Sequence, residues 1–315
     1  MPSEFALIDR YFRRPPRHAV LGVGDDAAIV RPSPGCELVI STDMLVAGTH
    51  FFADDDPEDL GWKTLAVNVS DIAAMGAQPR WAVIAAALPT ANEDWLEKFS
   101  TGLFACADAF GIDIIGGDTT RGPRNFCVTI FGEVPLVGLQ SQALLRSGAH
   151  LYEEIWVSGM PGRAALGLAH LQGRIALTEP ALSVCLAALR RPQPRVELGL
   201  ALRGIASAAI DVSDGLLADL GHLLEASCLA ATLHLDRLPA PGLERDAYLS
   251  GGDDYELIFT SPPEHHAAIL GLSERLDLPL TCIGKTEAGP AGKLTIFDAH
   301  GQPVEVTQRG YDHFA

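Results

Sequence analysis

The chain is poor in basic residues: its 315 residues include 23 lysines and arginines against 40 aspartates and glutamates, which gives a formal net charge of −17. Binding to nucleic acid or to anionic membranes requires basic patches, so we expect neither partner. Long apolar runs are also absent, since the longest, residues 81–88, is too short to span a bilayer. No basic segment followed by an apolar core is evident at the N-terminus, so we expect no signal peptide and a cytoplasmic protein.

Several familiar site motifs are missing as well. The six cysteines are scattered without a Cys-x-x-Cys pair, which argues against a zinc site and a disulfide framework. The sequence has no Walker A loop, no G-x-G-x-x-G turn that opens a helix, no His-Arg-Asp loop, no serine-nucleophile elbow and no HExxH motif. If this protein uses ATP, it must bind the nucleotide with another architecture.

What the chain does contain is a series of aspartates embedded in small residues. The four clusters are Gly24-Asp25-Asp26-Ala27, Ser41-Thr42-Asp43, Gly116-Gly117-Asp118-Thr119 and Asp211-Val212-Ser213-Asp214-Gly215. Carboxylates that folding brings together repel one another unless a cation compensates their charge. Mg²⁺ prefers oxygen ligands and often shares them with substrate phosphates. The clusters therefore indicate a Mg²⁺-dependent enzyme that acts on nucleotide phosphates.

The repetition of these clusters matters more than any one of them. A single cluster could be an ordinary turn, because glycine and aspartate favour turns for backbone reasons. Several clusters near the ends of predicted strands favour a ligand site, since ligands collect at strand ends in α/β folds. Asp71 adds a carboxylate on a predicted helix that Asp56 caps, and it shares a face of that helix with Asn68. Its mostly apolar neighbours favour a buried functional carboxylate over a surface aspartate.

Strand-like and helix-like segments alternate along the chain, which predicts an α/β fold. In the first part, predicted strands at residues 37–41 and 112–115 alternate with amphipathic helices, one of them capped by Asn92. The pattern resets after the strand that ends near residue 134, so we predict two α/β domains, 1–140 and 141–315. The first would contain metal and nucleotide aspartates, and the second would complete the active site.

In the second domain, a strongly apolar helix is predicted over Leu216–Ala226, with Ser213 or Asp214 as its N-cap. The N-terminus of a helix is a natural place to hold an anion or the metal bound to it. We therefore expect this helix start to be part of the ligand site.

A few residues outside the aspartate clusters are candidates for phosphate contacts. Arg121 and Arg146 lie beside glycine-containing turns, where arginines can bind phosphates, although each could also be an ordinary surface arginine. His50 is a poor Mg²⁺ ligand because that ion prefers oxygen, but it could contact a substrate phosphate or be purely structural.

Taken in order, seven segments resemble those of the thiamine-monophosphate kinases, which belong to the superfamily that includes aminoimidazole ribonucleotide synthetase and selenophosphate synthetase. The segments are GVGDDAAIV, STDMLVAGTHF, AVNVSDIAAMGAQP, IIGGDTTRGP, AIDVSDGLLADLGHL, GGDDYELIFT and GYDHF, from residue 22 to the C-terminus. The resemblance implies a two-domain aminoimidazole ribonucleotide synthetase-like α/β (α+β) fold whose N-terminal domains pair across a homodimer. It also implies ATP-dependent phosphorylation of thiamine monophosphate to thiamine diphosphate.

The resemblance further implies which residues bind metal, nucleotide and substrate. Several Mg²⁺ ions would be held by Asp26, Ser41, Thr42, Asp43, Asp71, Asp118, Asp211 and Asp214. ATP would be contacted by Gly117, Asp118, Arg146 and Ser213, and the substrate by His50 and Asp253. The acceptor would be a phosphate monoester, which is largely dianionic at neutral pH and needs no general base. We therefore expect direct in-line transfer that depends on positioning and charge neutralisation, without a phosphoenzyme.

Two positions depart from the pattern of the family. Asp253 stands where relatives usually have glutamate, so the charge is kept but the reach of the side chain differs. Relatives often have an aromatic residue that stacks on thiamine just before the final GYDHF, whereas this sequence has Thr307, Gln308 and Arg309 there.

Two other interpretations remain open. Another ATP-dependent enzyme of the superfamily would act on a different acceptor. A selenophosphate synthetase would have a reactive cysteine or selenocysteine near the N-terminus, and a hydrogenase-maturation relative would end in cysteine, whereas the first cysteine here is Cys36 and the last residue is Ala315. A non-catalytic divalent-cation-binding protein would explain the carboxylates but not the glycine, serine and threonine between them.

Overall fold

The chain forms two compact units, each with its own sheet. The computed structural model describes residues 4–238, 243–306 and 310–311. The N-terminal unit holds the residues up to 72 together with 77–141, and the C-terminal unit holds 73–76 together with the residues from 142 onward. Each sheet is mixed and is accompanied by helices, which confirms the predicted α/β class. Every helix among these residues is too short or too polar to span a lipid bilayer.

The N-terminal unit alternates helices and strands before it ends in three consecutive strands. Its elements are α1 (Glu4–Tyr11), β1 (Cys36–Val46), α2 (Pro57–Ala74), β2 (Gln78–Leu88), α3 (Glu93–Phe110), β3 (Asp113–Arg121), β4 (Asn125–Val137) and β5 (Gln140–Ser141). The strand order is β1-β4-β2-β3, with β5 paired to β4. Strands β2 and β3 are parallel and the other pairs are antiparallel. Strands β1 and β3 are therefore at opposite ends of this strand order.

Helices α2 and α3 begin where the local sequence predicts. Asp56 Oδ1 accepts a 2.8 Å hydrogen bond from the backbone N of Glu58 in the first turn of α2. Asn92 Oδ1 accepts a 3.1 Å bond from the backbone N of Trp95, and Gly111 ends α3 in the left-handed conformation. These interactions join groups that are close in sequence, so both predicted caps are confirmed.

One face of the N-terminal sheet is covered and the other is open. Leu45, Ile84 and Val128 are buried on the covered face, whereas Met44 and Ala85 are exposed on the open face. Successive residues of a strand point to opposite faces of the sheet. Exposure and strand register together therefore assign the polar residues of these strands to one face or the other.

Two strands of this unit are longer than the sequence pattern predicted. Strand β1 continues past Ser41, and β3 continues past Ile115, so that Thr42 and Asp118 are paired residues within the sheet. Polar side chains on an open sheet face do not interrupt the backbone ladder, because they reach solvent while their peptide groups stay paired. The expectation that the aspartate clusters follow strand ends is wrong for these two clusters.

The C-terminal unit also alternates strands and helices, with three helices in succession after its first strand. Its elements are β6 (Glu154–Ser158), α4 (Arg163–Leu171), α5 (Ala181–Arg190), α6 (Val196–Leu202), β7 (Ala208–Asp211), α7 (Leu216–Ala226), β8 (Ala230–His234), α8 (Leu243–Ser250), β9 (Leu257–Ser261), α9 (His266–Leu276), β10 (Leu280–Glu287) and β11 (Leu294–Phe297). The strand order is β11-β8-β10-β6-β9-β7. Helix α7 has the predicted span, and its leucines are buried in the core of this unit.

Candidate active site

Helix α2 presents two polar side chains to strand β1. Ser41 Oγ donates a 2.5 Å hydrogen bond to Asp71 Oδ2. The backbone N of Asp43 donates a 3.0 Å bond to Asn68 Oδ1. Asn68 is only 1% exposed, and its Nδ2 donates to the carbonyl oxygen of Thr64, which fixes the orientation of the amide. Ser41, Asp43 and a half-buried Asp71 therefore lie close together in the N-terminal unit.

His50 is held by the end of the same strand. Its Nδ1 accepts a 3.0 Å hydrogen bond from the backbone N of Val46, and its own backbone N donates to the Val46 carbonyl oxygen. A neutral imidazole whose Nδ1 accepts a hydrogen bond has its proton on Nε2. The half-buried ring can therefore offer an N–H donor on the side away from the strand, which suits contact with a phosphate oxygen.

Thr42 and Asp118 lie on the open face of the sheet. The Oγ1 atoms of Thr42 and Thr129 are 2.8 Å apart across β1 and β4. Asp118 pairs with Ala85, and both residues are exposed. Strands β1 and β3 are three strand spacings apart, or about 14 Å at the usual spacing. Within this unit, the sheet therefore separates the side chain of Asp43 from that of Asp118.

A bulge in β3 decides which face Asp118 occupies. Ile114 and Gly116 pair with consecutive residues of β2, so Ile115 is an extra residue in β3. One extra residue reverses the in-and-out alternation of every strand residue that follows it. The Ile114-Ile115-Gly116 sequence thus places the carboxylate of Asp118 on the open face.

Gly117 can only be glycine in this arrangement. Its φ is 152°, and a Cβ atom at this position would lie 1.8 Å from the carbonyl oxygen of Ile84. The neighbouring Gly116 is different, because a Cβ there would meet nothing closer than 3.8 Å. The backbone of Gly117 therefore packs directly against β2, beside the exposed Asp118.

Three further candidates lie at exposed positions. Asp26 is in a loop, where its backbone N donates a 2.9 Å hydrogen bond to Oδ1 of the neighbouring Asp25. Arg121 ends β3 with an exposed side chain. Arg146 begins a single 3₁₀ turn, and its carbonyl oxygen accepts a 2.7 Å bond from Ser227 Oγ. The backbone of Arg146 is thus fixed while its side chain reaches solvent.

In the C-terminal unit, the 211–215 loop and the 251–256 segment lie side by side. The backbone N of Asp253 donates a 2.7 Å bond to the Ser213 carbonyl oxygen. Val212 makes two more backbone hydrogen bonds of 2.8 Å to the same segment. These bonds bring together the four candidate residues of the two segments: Asp211, Ser213, Asp214 and Asp253.

Asp253 is held in a conformation that few side chains adopt. Its φ is 72°, in the left-handed region, and Tyr255 Oη donates a 2.9 Å hydrogen bond to its Oδ1. A Cβ atom on Gly252 would lie 2.4 Å from the Ser213 carbonyl oxygen, so this glycine allows the segment to approach the loop. The position of Asp253 is therefore fixed relative to the 211–215 loop.

Gly310 and Tyr311, the first two residues of the GYDHF sequence, contact the same loop. The backbone N of Tyr311 donates a 2.9 Å bond to the Asp214 carbonyl oxygen, and Gly310 packs against the same carbonyl group. The side chain of Tyr311 is exposed. Gln308, at the position where relatives often have a stacking aromatic residue, lies outside the described residues.

Asp219 is a residue of this region that the sequence patterns did not single out. Its Oδ2 accepts backbone hydrogen bonds from Ser213, Asp214 and Gly215, at 3.0, 3.1 and 3.1 Å. Burial, together with the nearby charge of Asp214, raises the pKa of Asp219 to about 6 although these three bonds act in the opposite direction. The only sequence signal is an acidic residue within an otherwise apolar helix start.

Asp219 also changes the interpretation of the α7 N-terminus. Gly215 precedes the first residue of the helix, and no side chain forms the N-cap hydrogen bond. The prediction that Ser213 or Asp214 caps the helix is therefore wrong. The N–H groups of residues 213–215 bind an internal carboxylate, so they are not available to hold an external anion.

Two more acidic residues hold the 251–256 segment in place from within. Asp254 accepts backbone hydrogen bonds from Gly162 (2.5 Å) and Ala164 (3.0 Å) at the start of α4, and burial raises its pKa to about 8. Glu256 accepts two hydrogen bonds from the guanidinium of Arg195, at 2.6 and 2.5 Å. The side chains of the three acidic residues of GGDDYE thus have different partners: Tyr255 for Asp253, the start of α4 for Asp254 and Arg195 for Glu256.

The donor set of the candidate residues suits a hard cation. Within the ranges that the structure describes, no three His, Cys, Asp or Glu side chains lie close enough together to hold a metal ion by themselves. The candidates instead offer carboxylate and hydroxyl oxygens, as in the hydrogen-bonded pair of Ser41 and Asp71. Mg²⁺ is usually bound in this way, through one or two carboxylates together with water and substrate phosphates. The residues therefore fit Mg²⁺ that is shared with a phosphate ligand.

Comparison with known proteins identifies the family. Models for the N-terminal and C-terminal domains of AIR synthase related protein match residues 24–134 and 153–297. The thiamine-monophosphate kinase of Salmonella typhimurium is 45% identical to this chain, over 99% of this chain and 98% of that protein.

Solved structures give the same result. The crystal structure of thiamine-monophosphate kinase from Stenotrophomonas maltophilia K279a has a TM-score of 0.83 and 46% identity, and the match covers 96% of this chain and 98% of that chain. The structure of AaThiL complexed with AMPPCP and TMP has a TM-score of 0.75 and 30% identity, covering 93% of this chain and 92% of that chain. The chain therefore belongs to the AIR synthase related proteins and, within them, to the thiamine-monophosphate kinase family of enzymes.

Proposed function

We propose that this enzyme transfers the γ-phosphoryl group of ATP to the phosphate of thiamine monophosphate, giving thiamine diphosphate and ADP. The observation that carries the proposal is the 45% identity to a thiamine-monophosphate kinase over 99% of the chain. A structural relative that matches 93% of the chain binds AMPPCP and TMP, an ATP analogue and the same kind of acceptor. The oxygen-rich residues described above provide the chemistry that this reaction requires.

The transfer proceeds in line, without a phosphoenzyme. The acceptor phosphate is largely dianionic at neutral pH, so it is already a nucleophile and needs no general base. The task of the protein is to position two polyanions and to exclude competing geometries. Ser41, Asp43 and Asp71 are fixed by bonds between β1 and α2, and Asp211 and Asp214 by the backbone bonds of their loop. Such prior fixation lowers the entropic cost of alignment.

Magnesium ions are the cofactor that this donor set fits. We assign their ligands to Asp26, Ser41, Thr42, Asp43, Asp71, Asp118, Asp211 and Asp214. Bound Mg²⁺ would neutralise the phosphate charges and polarise the transferred group.

Contacts to the organic ligands follow from the remaining candidates. Gly117, Asp118, Arg146 and Ser213 bind ATP in this proposal, and His50 and Asp253 bind thiamine monophosphate. His50 donates from Nε2, because its Nδ1 is already engaged by Val46. Arg146 is exposed and can reach a phosphate without breaking a bond of its own backbone.

The enzyme acts as a homodimer in which the N-terminal sheets pair. The open face of β1 exposes Leu38, Ile40 and Met44, which are 38%, 57% and 52% accessible to solvent. Adjacent apolar side chains at these levels of exposure favour burial against a partner.

The scattered cysteines agree with a cytoplasmic location, where thiols stay reduced.

A coupled ADP-release assay with Mg-ATP tests the reaction. Thiamine monophosphate, free thiamine and no acceptor are compared, and the product is identified by chromatography. ADP and thiamine diphosphate that form only with the monophosphate support the proposal. ADP release without dependence on the acceptor would instead favour another enzyme of the superfamily, and metal binding without any turnover would favour a cation-binding protein.

A further inference from the structure

One buried carboxylate determines the shape of the 211–215 loop without belonging to the assigned ligands. Asp219 Oδ2 accepts the N–H groups of three consecutive residues, Ser213, Asp214 and Gly215, at 3.0–3.1 Å. Asp219 is only 3% exposed. Hydrogen bonds to an ionised acceptor are stronger than bonds between neutral groups, and three of them fix three peptide planes at once.

The other edge of the loop is fixed as well. The Ser213 carbonyl oxygen accepts a 2.7 Å bond from the backbone N of Asp253, and the Asp214 carbonyl oxygen accepts a 2.9 Å bond from the backbone N of Tyr311. Residues 213 and 214 therefore have both their donor and their acceptor engaged by protein groups. The side chains of Ser213 and Asp214 start from a backbone that cannot rotate without breaking two or more bonds.

Helix α7 gives Asp219 a rigid base. The backbone N of Asp219 donates a 3.0 Å bond to the Gly215 carbonyl oxygen. Leu216, Leu220 and Leu223 are fully buried in the core of the C-terminal unit. The geometry of the loop is thus tied to the hydrophobic core through one side chain.

The charge of Asp219 also determines which ligands the loop accepts. Loops that bind phosphate directly donate successive N–H groups to it. Here three successive N–H groups point to an internal carboxylate, and the charge of that carboxylate adds to the charge of Asp214. Such a loop repels a bare phosphate and attracts a cation.

We propose that Asp219 is a positioning residue of the kinase reaction, which holds the 211–215 loop so that nucleotide phosphates bind there only together with Mg²⁺. This inference rests on the proposed function, because it takes Asp211, Ser213 and Asp214 as ligands. It deepens that function by assigning the preference of the loop for metal-bound nucleotide to a residue that does not touch the ligand itself.

Two substitutions of Asp219 separate the acceptor from the charge. Asp219→Ala removes both, whereas Asp219→Asn keeps one acceptor oxygen and loses the charge. Glu225→Gln is the charge control, since Glu225 is an exposed carboxylate on the same helix. Leu223→Val is the stability control, because it weakens the packing of α7 without touching the loop.

Each protein is assayed at a temperature at which thermal unfolding shows it to be fully folded. The half-saturating Mg²⁺ concentration and kcat are measured in the kinase reaction, and ADP binding is measured by calorimetry with and without Mg²⁺. We expect Asp219→Ala to raise the half-saturating Mg²⁺ concentration about tenfold, as loss of a residue that orients a metal ligand does. We expect Asp219→Asn to lie between that variant and the wild type, and both controls to match the wild type.

The binding of ADP gives the second outcome. In the wild type, removal of Mg²⁺ should abolish detectable ADP binding. In Asp219→Ala, the ratio of the ADP affinity with Mg²⁺ to the ADP affinity without Mg²⁺ should be smaller. If Asp219→Ala behaves like Leu223→Val in both measurements, Asp219 is only a structural cap and the inference is wrong. A wild-type protein that makes no thiamine diphosphate would contradict the proposed function instead, and the calorimetry with ADP and Mg²⁺ would still decide the role of Asp219.

Discussion

Ser41 Oγ on strand β1 lies 2.5 Å from Asp71 Oδ2 on helix α2 and donates a hydrogen bond to that carboxylate. Asn68 of the same helix accepts a hydrogen bond from the backbone N of Asp43, two residues after Ser41. A serine hydroxyl has one proton and two lone pairs, so a serine that donates to a carboxylate can still offer oxygen lone pairs to a cation. Ser41 and Asp71 therefore form one oxygen-rich unit, and a change in either affects both.

Substitution of Ser41 tests this unit directly. Ser41→Ala should raise the half-saturating Mg²⁺ concentration by about tenfold. The loss of one hydrogen bond should lower the free energy of unfolding by only about 1 kcal/mol. Ser33→Ala is the matched control, because Ser33 Oγ bonds the carboxylate of Glu133 at 2.9 Å in the same unit. Identical Mg²⁺ titrations of the two variants would show that Ser41 has no role in metal binding.

Asp71→Asn removes the charge but keeps a side chain of the same size that can accept the hydrogen bond of Ser41. We expect kcat/KM to fall by about 100-fold at fixed Mg²⁺, which corresponds to about 2.7 kcal/mol of transition-state stabilisation. Asp108→Asn serves as the control, since Asp108 is an exposed carboxylate that pairs with Arg14 and Arg17. Full activity with unchanged Mg²⁺ dependence in Asp71→Asn would mean that this helix face is not part of the metal site.

Adjacent glycines of β3 should respond very differently to alanine. Gly117→Ala places a Cβ atom 1.8 Å from the Ile84 carbonyl oxygen at a φ of 152°, so β3 must move away from β2. We expect it to lower the free energy of unfolding by about 2–3 kcal/mol and to raise the KM for ATP. Gly116→Ala, with 3.8 Å to its nearest neighbour, should cost less than about 1 kcal/mol. Urea unfolding of both variants makes the comparison, and equal losses would contradict the register described for β3.

The pH dependence of stability should report Asp254. Burial raises the pKa of Asp254 from 3.8 to about 8. Between about pH 4 and pH 8, the folded protein therefore keeps a proton that the unfolded chain has already released. Its contribution to stability is therefore greatest below the unfolded pKa and is lost as the pH rises through the folded value.

Asp254→Asn cannot titrate, but it keeps an acceptor for the N–H groups of Gly162 and Ala164. Its free energy of unfolding should fall less steeply than that of the wild type between pH 5 and pH 8, by at most about 1.4 kcal/mol per pH unit. Urea unfolding at several pH values provides the test. Parallel curves for the two proteins would show that Asp254 is ionised in the folded state.

A charge on the open sheet face should prevent dimer formation. Ile40 is 57% exposed in a single chain, and Ile40→Asp would bury a carboxylate in the proposed contact between N-terminal sheets. Light scattering should give twice the 33.5 kDa chain mass for the wild type and the chain mass itself for the variant. Val184→Asp, on an exposed position of α5, should remain dimeric. A monomeric wild type would refute the dimer.

Features that depend on neighbours in sequence were predicted well. The caps at Asp56 and Asn92 and the span of α7 are confirmed, because caps and apolar periodicity act within a few residues. The α7 N-cap was predicted wrongly although it is also local. Ser213 and Asp214 are good capping residue types, but their backbone N–H groups bind Asp219, and the residue before the helix is Gly215, which has no side chain to form a cap.

Interactions between distant segments could not be predicted from the sequence. Glu256 bonds Arg195 across 61 residues, and Asp254 bonds the start of α4 across about 90 residues. In sequence, Asp253, Asp254 and Glu256 look alike, and only the fold shows that their side chains bond Tyr255, the start of α4 and Arg195 respectively. The face occupied by Asp118 was equally hidden, since a bulge leaves no signal beyond an ordinary isoleucine followed by two glycines.

The extra residue in β3, Ile115, determines on which face of the sheet the carboxylate of Asp118 lies. If Ile115 were paired in the ladder instead of bulged, regular alternation from Ile114 would place Asp118 opposite Ala86 on the covered face, although every residue assigned to the site would still be present. Substitutions at Ile115 that preserve a buried side chain should be tolerated, whereas insertion of one regularly paired residue before Asp118 should carry its carboxylate to the covered face. For an engineer of this sheet, the pairing register between Ile114 and Asp118 is thus a stricter constraint than the chemistry of the residues between them.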